Sequence, residues 1–193
     1  YPFELKNGQL ITEEKRINTD IESIQGEANL FHTFQDESEL NVKTYYFHSQ
    51  RGLPGAVILY NKESDERLWD DNFFAQARYK KVFNPQWTLQ AQGKYNYSWN
   101  KYEDKGAEYV GGKQTDTNRQ KEYYLSASVL YQPVKRWSLS LSQDGFINKL
   151  HTNGTNSPEP TRYSSLTALN IRYQQNRWKV SGTLVGTYIT EEV

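Results

Sequence analysis

The sequence predicts an all-β fold: an antiparallel up-and-down meander of about eight strands that forms a segment of a transmembrane β-barrel. Three observations predict it. Apolar or aromatic residues alternate with polar ones at a period of two, short turns alternate with long polar stretches, and Trp and Tyr gather where the alternating runs end. A period of two sorts the residue classes onto opposite sides of a pleat, because successive strand side chains leave it in opposite directions. A helix would mix the classes on every face.

The first run is Ile24, Gly26, Ala28 and Leu30, followed by a polar turn near 35–38 and by Leu40, Val42, Thr44 and Tyr46. A long polar stretch near 51–70 leads to Phe73, Ala75, Ala77 and Tyr79, and the next turn, near 84–86, contains Pro85. The clearest run comes next. Trp87, Leu89, Ala91, Gly93, Tyr95, Tyr97 and Trp99 hold the odd positions, with Thr88, Gln90, Gln92, Lys94, Asn96, Ser98 and Asn100 between and after them. Beyond a second long stretch near 101–120 the parity returns as Tyr123, Leu125, Ala127, Val129 and Tyr131, then a turn near 132–135 contains Pro133. Trp137, Leu139 and Leu141 are separated by Ser138 and Ser140, and a third long stretch near 150–161 precedes Leu169, Ile171 and Tyr173. A last turn near 174–177 and the run Trp178, Val180, Gly182, Leu184, Gly186, Tyr188 complete the set. The polar or Pro-containing turn clusters suit tight hairpins. Short turns at one end of a meander and long loops at the other is the layout of outer-membrane barrels.

Three of the short turns are followed by a weak repeat, Trp87-Thr88-Leu89, Trp137-Ser138-Leu139 and Trp178-Lys179-Val180, while Phe34, Phe83, Tyr131 and Tyr173 precede turns. Amphipathic rings prefer the level where hydrocarbon meets headgroups, so this row reads as one interfacial girdle. Tyr97, Trp99, Tyr123 and Tyr188 form part of the opposite one. Between the rows stand Leu, Ala, Val and Gly, and the run from Trp87 to Trp99 covers the ~9 to 11 residues a tilted spanning strand needs. A soluble lipocalin-like carrier of a small ligand, or a structural surface β-protein, would alternate too, yet a soluble core puts its large residues centrally. The other face, rich in Gln, Ser, Thr, Asn, Lys and Glu, suits a wetted lumen.

Composition narrows the functions. The 193 residues carry 23 Lys+Arg against 23 Asp+Glu, so no positive field gathers nucleic-acid phosphates. With no Cys there is no disulfide framework, thiolate metal site or cysteine nucleophile. A mean hydropathy of −0.91, with no apolar run approaching the ~18 residues of a transmembrane helix, excludes such a helix but not a membrane barrel. The chain opens Tyr1-Pro2-Phe3, which predicts a processed protein or an internal piece of a longer one.

Candidate chemistry is sparse. His32, His48 and His151 fall on separate strands or a loop without helical i, i+4 partners, and no phosphate loop, nucleophile elbow or HExxH is present. No catalytic residue and no cofactor is expected. Asp144 shares its face with Ser138, Ser140 and Ser142, a polar lumen row open to a ligand or an internal domain. In the first long stretch, Glu63, Asp65, Glu66, Asp70 and Asp71 supply hard oxygen donors for a possible Ca²⁺ loop, with Lys62 and Arg67 interrupting the charge. The turn Arg51-Gly52-Leu53-Pro54-Gly55 then exposes Ala56, Val57, Ile58, Leu59 and Tyr60, and an apolar run inside a polar loop either contacts a ligand, plug or partner or packs over the barrel mouth. Leu53, Ile58 and Tyr60 are its candidate contacts. Asn153-Gly154-Thr155 reads as a turn rather than a glycosylation site.

The segments Arg51-Gly52-Leu53-Pro54-Gly55-Ala56-Val57, Glu66-Arg67-Leu68-Trp69-Asp70-Asp71 and Phe74-Ala75-Gln76 resemble the barrel of TonB-dependent outer-membrane receptors. Asp144-Gly145-Phe146-Ile147-Asn148-Lys149-Leu150, Asn156-Ser157-Pro158-Glu159-Pro160-Thr161-Arg162 and Leu166-Thr167-Ala168-Leu169 are similar to the same family in the same order, closest to its cobalamin-receptor-like branch. The resemblance implies an internal segment of a 22-stranded barrel whose lumen holds an N-terminal plug. It implies a binding and transport component rather than an enzyme, placed in the outer membrane of a Gram-negative bacterium. Its partners would be outer-membrane lipid, the plug of the same receptor, the TonB energy-coupling system and a scarce nutrient complex.

Overall fold

A computed structural model of the chain describes residues 2–4, 8, 10–13, 15–56, 64–105, 109–154 and 159–192. Two short strands, β1 (Pro2–Glu4) and β2 (Leu10–Glu13), pair with each other. The remaining strands are β3 (Ile21–Thr33), β4 (Glu39–Gly52), β5 (Arg67–Asn84), β6 (Trp87–Lys105), β7 (Lys113–Val134), β8 (Trp137–Thr152), β9 (Thr161–Gln175) and β10 (Trp178–Glu192). They form one 8-stranded antiparallel sheet in the order β10-β9-β8-β7-β6-β5-β4-β3. Each strand therefore bonds only to its neighbours in sequence, as the meander expected from the alternating runs requires, and no helix is present among the described residues. The hairpin β1–β2 was not legible beforehand, because three or four residues are too few to establish a period.

Register sorts the two faces. Directly opposed residues share a face, and one such line crosses the whole sheet: Leu30, Val42, Ala77, Gly93, Leu125, Gly145, Ser165 and Tyr188. Leu89, Ala91, Leu139 and Leu184 lie on this apolar face, while Gln90, Gln92, Ser140 and Thr183 lie on the other. The parity expected from sequence thus holds from β6 to β10. Near one end of the apolar face Trp87 stacks on Tyr131 at 4.2 Å and Trp137 meets Tyr173 at 4.8 Å. Toward the other, Tyr95 meets Tyr123 at 5.1 Å and Phe73 at 6.4 Å. A polar knot interrupts the middle of the apolar face: the Gln143 amide donates to Ser165 Oγ at 2.8 Å and its carbonyl accepts from the Thr167 hydroxyl.

The connections differ from the expected spans in length. Strand β6 continues to Lys105 and β7 begins at Lys113, so most of the polar stretch 101–120 is ladder rather than loop. Polar cross-strand contacts replace the missing oily face there. Asn118 donates to Asn100 at 3.0 Å, and the nearly buried Glu103 takes Lys101 at 2.8 Å and Lys113 at 3.7 Å. The third connection likewise shortens to 153–160, since β8 runs through Thr152. The tight turns fall at 34–38, 85–86, 135–136 and 176–177. At the second, the Asn84 side chain accepts from the backbone of Gln86 at 2.9 Å and of Trp87 at 3.0 Å. At the last, Asn176 holds φ at 51°, a left-handed backbone that Asn tolerates better than most residues.

No hydrophobic side chain among the described residues is buried. Leu125 is 69% exposed and Leu184 71%, and every described residue of the two edge strands, β3 and β10, is exposed.

Candidate functional site

The base of the first long loop is a polar knot built on Asn18. Its side-chain amide donates to the carbonyls of Leu53 at 3.1 Å and Glu66 at 2.6 Å, tying the two ends of the loop together. Its backbone has φ 53°, and its side-chain oxygen lies 2.1 Å from where a Cβ on Gly52 would stand, so only glycine admits this approach. Ser64 Oγ donates to the Leu53 carbonyl at 2.7 Å and accepts from Gly55 N at 2.8 Å. Arg16 reaches the carbonyls of Pro54 at 3.3 Å and Gly55 at 3.2 Å. Asp20 completes the knot. Its backbone carbonyl accepts from Gly52 N at 2.9 Å, and its carboxylate pairs with Arg67 at 2.6 Å, which holds that exposed carboxyl below its ordinary value. The candidate contact Leu53 thus sits half-buried with its backbone fixed on both sides, its N–H donating to the Glu66 carbonyl at 2.9 Å. Ile58 and Tyr60 lie outside the described residues.

Asp144 stands on the polar face of β8, opposite Ser126 and Leu166, and accepts from the Tyr124 hydroxyl at 3.3 Å. Its surroundings are more aromatic than the expected serine row. Tyr124 meets Phe146 at 4.7 Å, and across β6, on β4 and β5, Tyr45 stacks on Phe74 at 5.4 Å with Lys94 Nζ 5.3 Å above the Phe74 ring. Ring faces flanked by Lys94 and Asp144 make a strip able to stack on a planar or sugar-like solute while hydrogen-bonding its edge. Sequence reasoning missed this strip. Its signal was the four places where an aromatic falls on the polar parity: Tyr45 before Tyr46, Phe74 after Phe73, Tyr124 after Tyr123 and Phe146 after Gly145.

The acidic residues of the first loop do not assemble into a calcium site. Asp70 and Asp71 are consecutive strand residues on opposite faces: Asp70 pairs with Arg51 at 3.1 Å, Asp71 with His48 Nδ1 at 2.7 Å and the Tyr46 hydroxyl at 3.1 Å. The Glu66 backbone belongs to the Asn18 knot, Asp65 is exposed, and Glu63 lies outside the described residues. No group of three His, Asp or Glu side chains among the described residues is arranged to hold a metal ion. The histidines are scattered as expected: His32 edges onto Phe34 at 4.5 Å and His151 pairs with Glu159 at 2.5 Å. No protein-family model and no curated protein sequence matches the chain.

Proposed function

We propose that the chain is part of the wall of an outer-membrane β-barrel receptor that captures a scarce nutrient complex outside the cell and imports it by energy coupled from a TonB system. The observation that carries the membrane half is the exposed apolar face. A sheet with no buried hydrophobic side chain among its described residues forgoes the burial that stabilises water-soluble folds. Each large aliphatic side chain moved out of water contributes about 1.5–3 kcal/mol, and lipid supplies that transfer for the whole face at once. The dimensions agree. Twelve steps from Trp87 to Trp99 cover about 40 Å of strand, or roughly 30 Å along the membrane normal at a tilt of ~40°, comparable to a bilayer's hydrocarbon thickness. A lipocalin-like barrel would close by pairing its first strand with its last, whereas β3 and β10 share no pairing among the described residues.

The receptor half rests on the resemblance at 51–57, 66–71, 74–76 and 144–150, supported by the knot that presents the first loop and by the aromatic strip with Asp144 on the polar face. On this reading the long loops face outward and hold the ligand, and the strip lines the lumen. One experiment addresses both halves. The chain is folded into phosphatidylcholine vesicles containing brominated lipids, with Trp87 or Trp99 as the sole tryptophan, and ligand uptake by cells is compared for wild type and Leu53→Ala. Quenching of both tryptophans near the headgroups and weaker uptake at unchanged surface abundance are expected. Failure to insert, with apolar dye bound in water instead, would overturn the proposal in favour of a soluble carrier.

A further inference from the structure

Four basic residues occupy two consecutive cross-strand pairs on the apolar face of β7 and β8. Lys121 stands directly opposite Lys149, and Arg119 directly opposite His151. Like charges directly opposed across a ladder destabilise it, so the Lys121–Lys149 pair, with Arg119 beside it, costs the sheet stability unless an anion lies between them. One chain carboxylate, Glu159, lines the same depression and serves the histidine alone. Glu159 pairs with His151 at 2.5 Å, while Arg119, Lys121 and Lys149 have no ion-pair partner among the described residues. All four basic side chains are exposed, and they line a depression of about 350 Å³.

Two further features fix the occupant. The basic pairs lie one step beyond the opposed Tyr123 and Ile147, which belong to the aromatic end of the face, and so stand at the level of headgroups. Directly below them is a second depression, of about 330 Å³, floored by Gly145 and walled by Leu125, Ile147, Tyr163 and Tyr188. Nothing inside the chain demands glycine at its floor: a Cβ on Gly145 would meet only the Leu125 carbonyl oxygen, at 3.9 Å. Glycine in a strand with open space above it marks a place where something outside the chain approaches. From Gly145 to Lys149 the strand advances about 13 Å, a separation suited to a headgroup phosphate and the upper part of an acyl chain.

We propose that this face of β7 to β9 binds a membrane lipid whose headgroup carries a phosphate monoester, with the phosphate between Arg119, Lys121 and Lys149 and one acyl chain in the Gly145 depression. The proposal rests on the membrane reading above. Three unpaired cations match the double charge of a monoester better than the single charge of a phosphodiester.

The test folds the chain into phosphatidylcholine vesicles alone, or with added phosphatidylglycerol or diphosphoryl lipid A, and counts lipids retained after detergent extraction by mass spectrometry. Insertion is scored separately by circular dichroism and tryptophan fluorescence. Lipid A should be retained preferentially, and the preference should fall about fivefold for Lys121→Gln or Lys149→Gln and on the order of 25-fold for both. Lys179→Gln, on the opposite face, should leave it unchanged, and Gly145→Val should weaken retention without loss of folded sheet. Insertion into phosphatidylcholine without preference for lipid A would overturn this proposal and leave the membrane reading standing. Preference that survives the double lysine variant would overturn it too, as would equal displacement by inorganic phosphate with no effect of Gly145→Val. Failure to insert into any vesicle would overturn both.

Discussion

Asn18 combines a left-handed backbone, φ 53°, with two hydrogen bonds that close the first loop. Replacing it with Ala removes both bonds, at about 0.5–1.5 kcal/mol each, and forces an unfavourable backbone costing a further ~1–2 kcal/mol. Asn18→Gly should lose the bonds alone, so urea melts ought to rank wild type above Gly and Gly above Ala, with proteolysis within 53–66 rising in the same order. Asp36 is the acid-sensitive residue of the first tight turn. The Lys81 ammonium at 2.7 Å, with the hydroxyl and N–H of Ser38 at 2.6 and 3.1 Å, holds its carboxyl well below the ordinary 3.8. A depressed carboxyl stabilises fully above its unfolded value and loses that contribution as pH falls through the folded one. Turn protection in hydrogen exchange should therefore be constant above about pH 4 and decline below it, and Asp36→Asn should flatten the decline. Leu53 and Asp144 could be singled out as candidates from sequence because a loop hydrophobe and a polar-row acid break their surroundings. Asn18 could not be, since one asparagine in a polar segment looks like any other until the chain returns beside it some 35 residues later.

Strand β6 is where the lipid-facing assignment is sharpest. Arginine at Ala91 should cost about 2–4 kcal/mol in bilayers, and arginine at Gln92, on the polar face, should cost little. The penalty should shrink for arginine near Trp87 or Trp99, which urea titration of vesicle-folded variants can measure. Equal costs at Ala91 and Gln92 would remove the bilayer from the picture. The parity of β6 was readable from Trp87 to Asn100 because burial of one face, in lipid or core, writes a period into sequence. It stops being readable at Lys101, where the strand continues on backbone bonds and the Glu103 ion pairs, neither of which needs a hydrophobic residue. The acidic stretch misled for a related reason. Proximity in sequence suggested a cluster, but once 70 and 71 lie in a strand the pleat separates them.

At the scale of the molecule, β3 and β10 each pair on one side only among the described residues, and unpaired edges recruit other strands. In detergent the isolated chain should associate, with association reduced by Pro substituted at outward N–H positions of β10; a monodisperse monomer by light scattering would mean the edges are otherwise protected. The strictly serial pairing of the sheet bears on its mechanics. A strand at the edge, pulled at its free end across the ladder, loads one pair of hydrogen bonds at a time, and when it has peeled away the next strand becomes the edge. Stretched from its C-terminal side by a force probe, the sheet should open like a zipper at low force. Release of residues 178–192 as a first unit would add about 50 Å of contour.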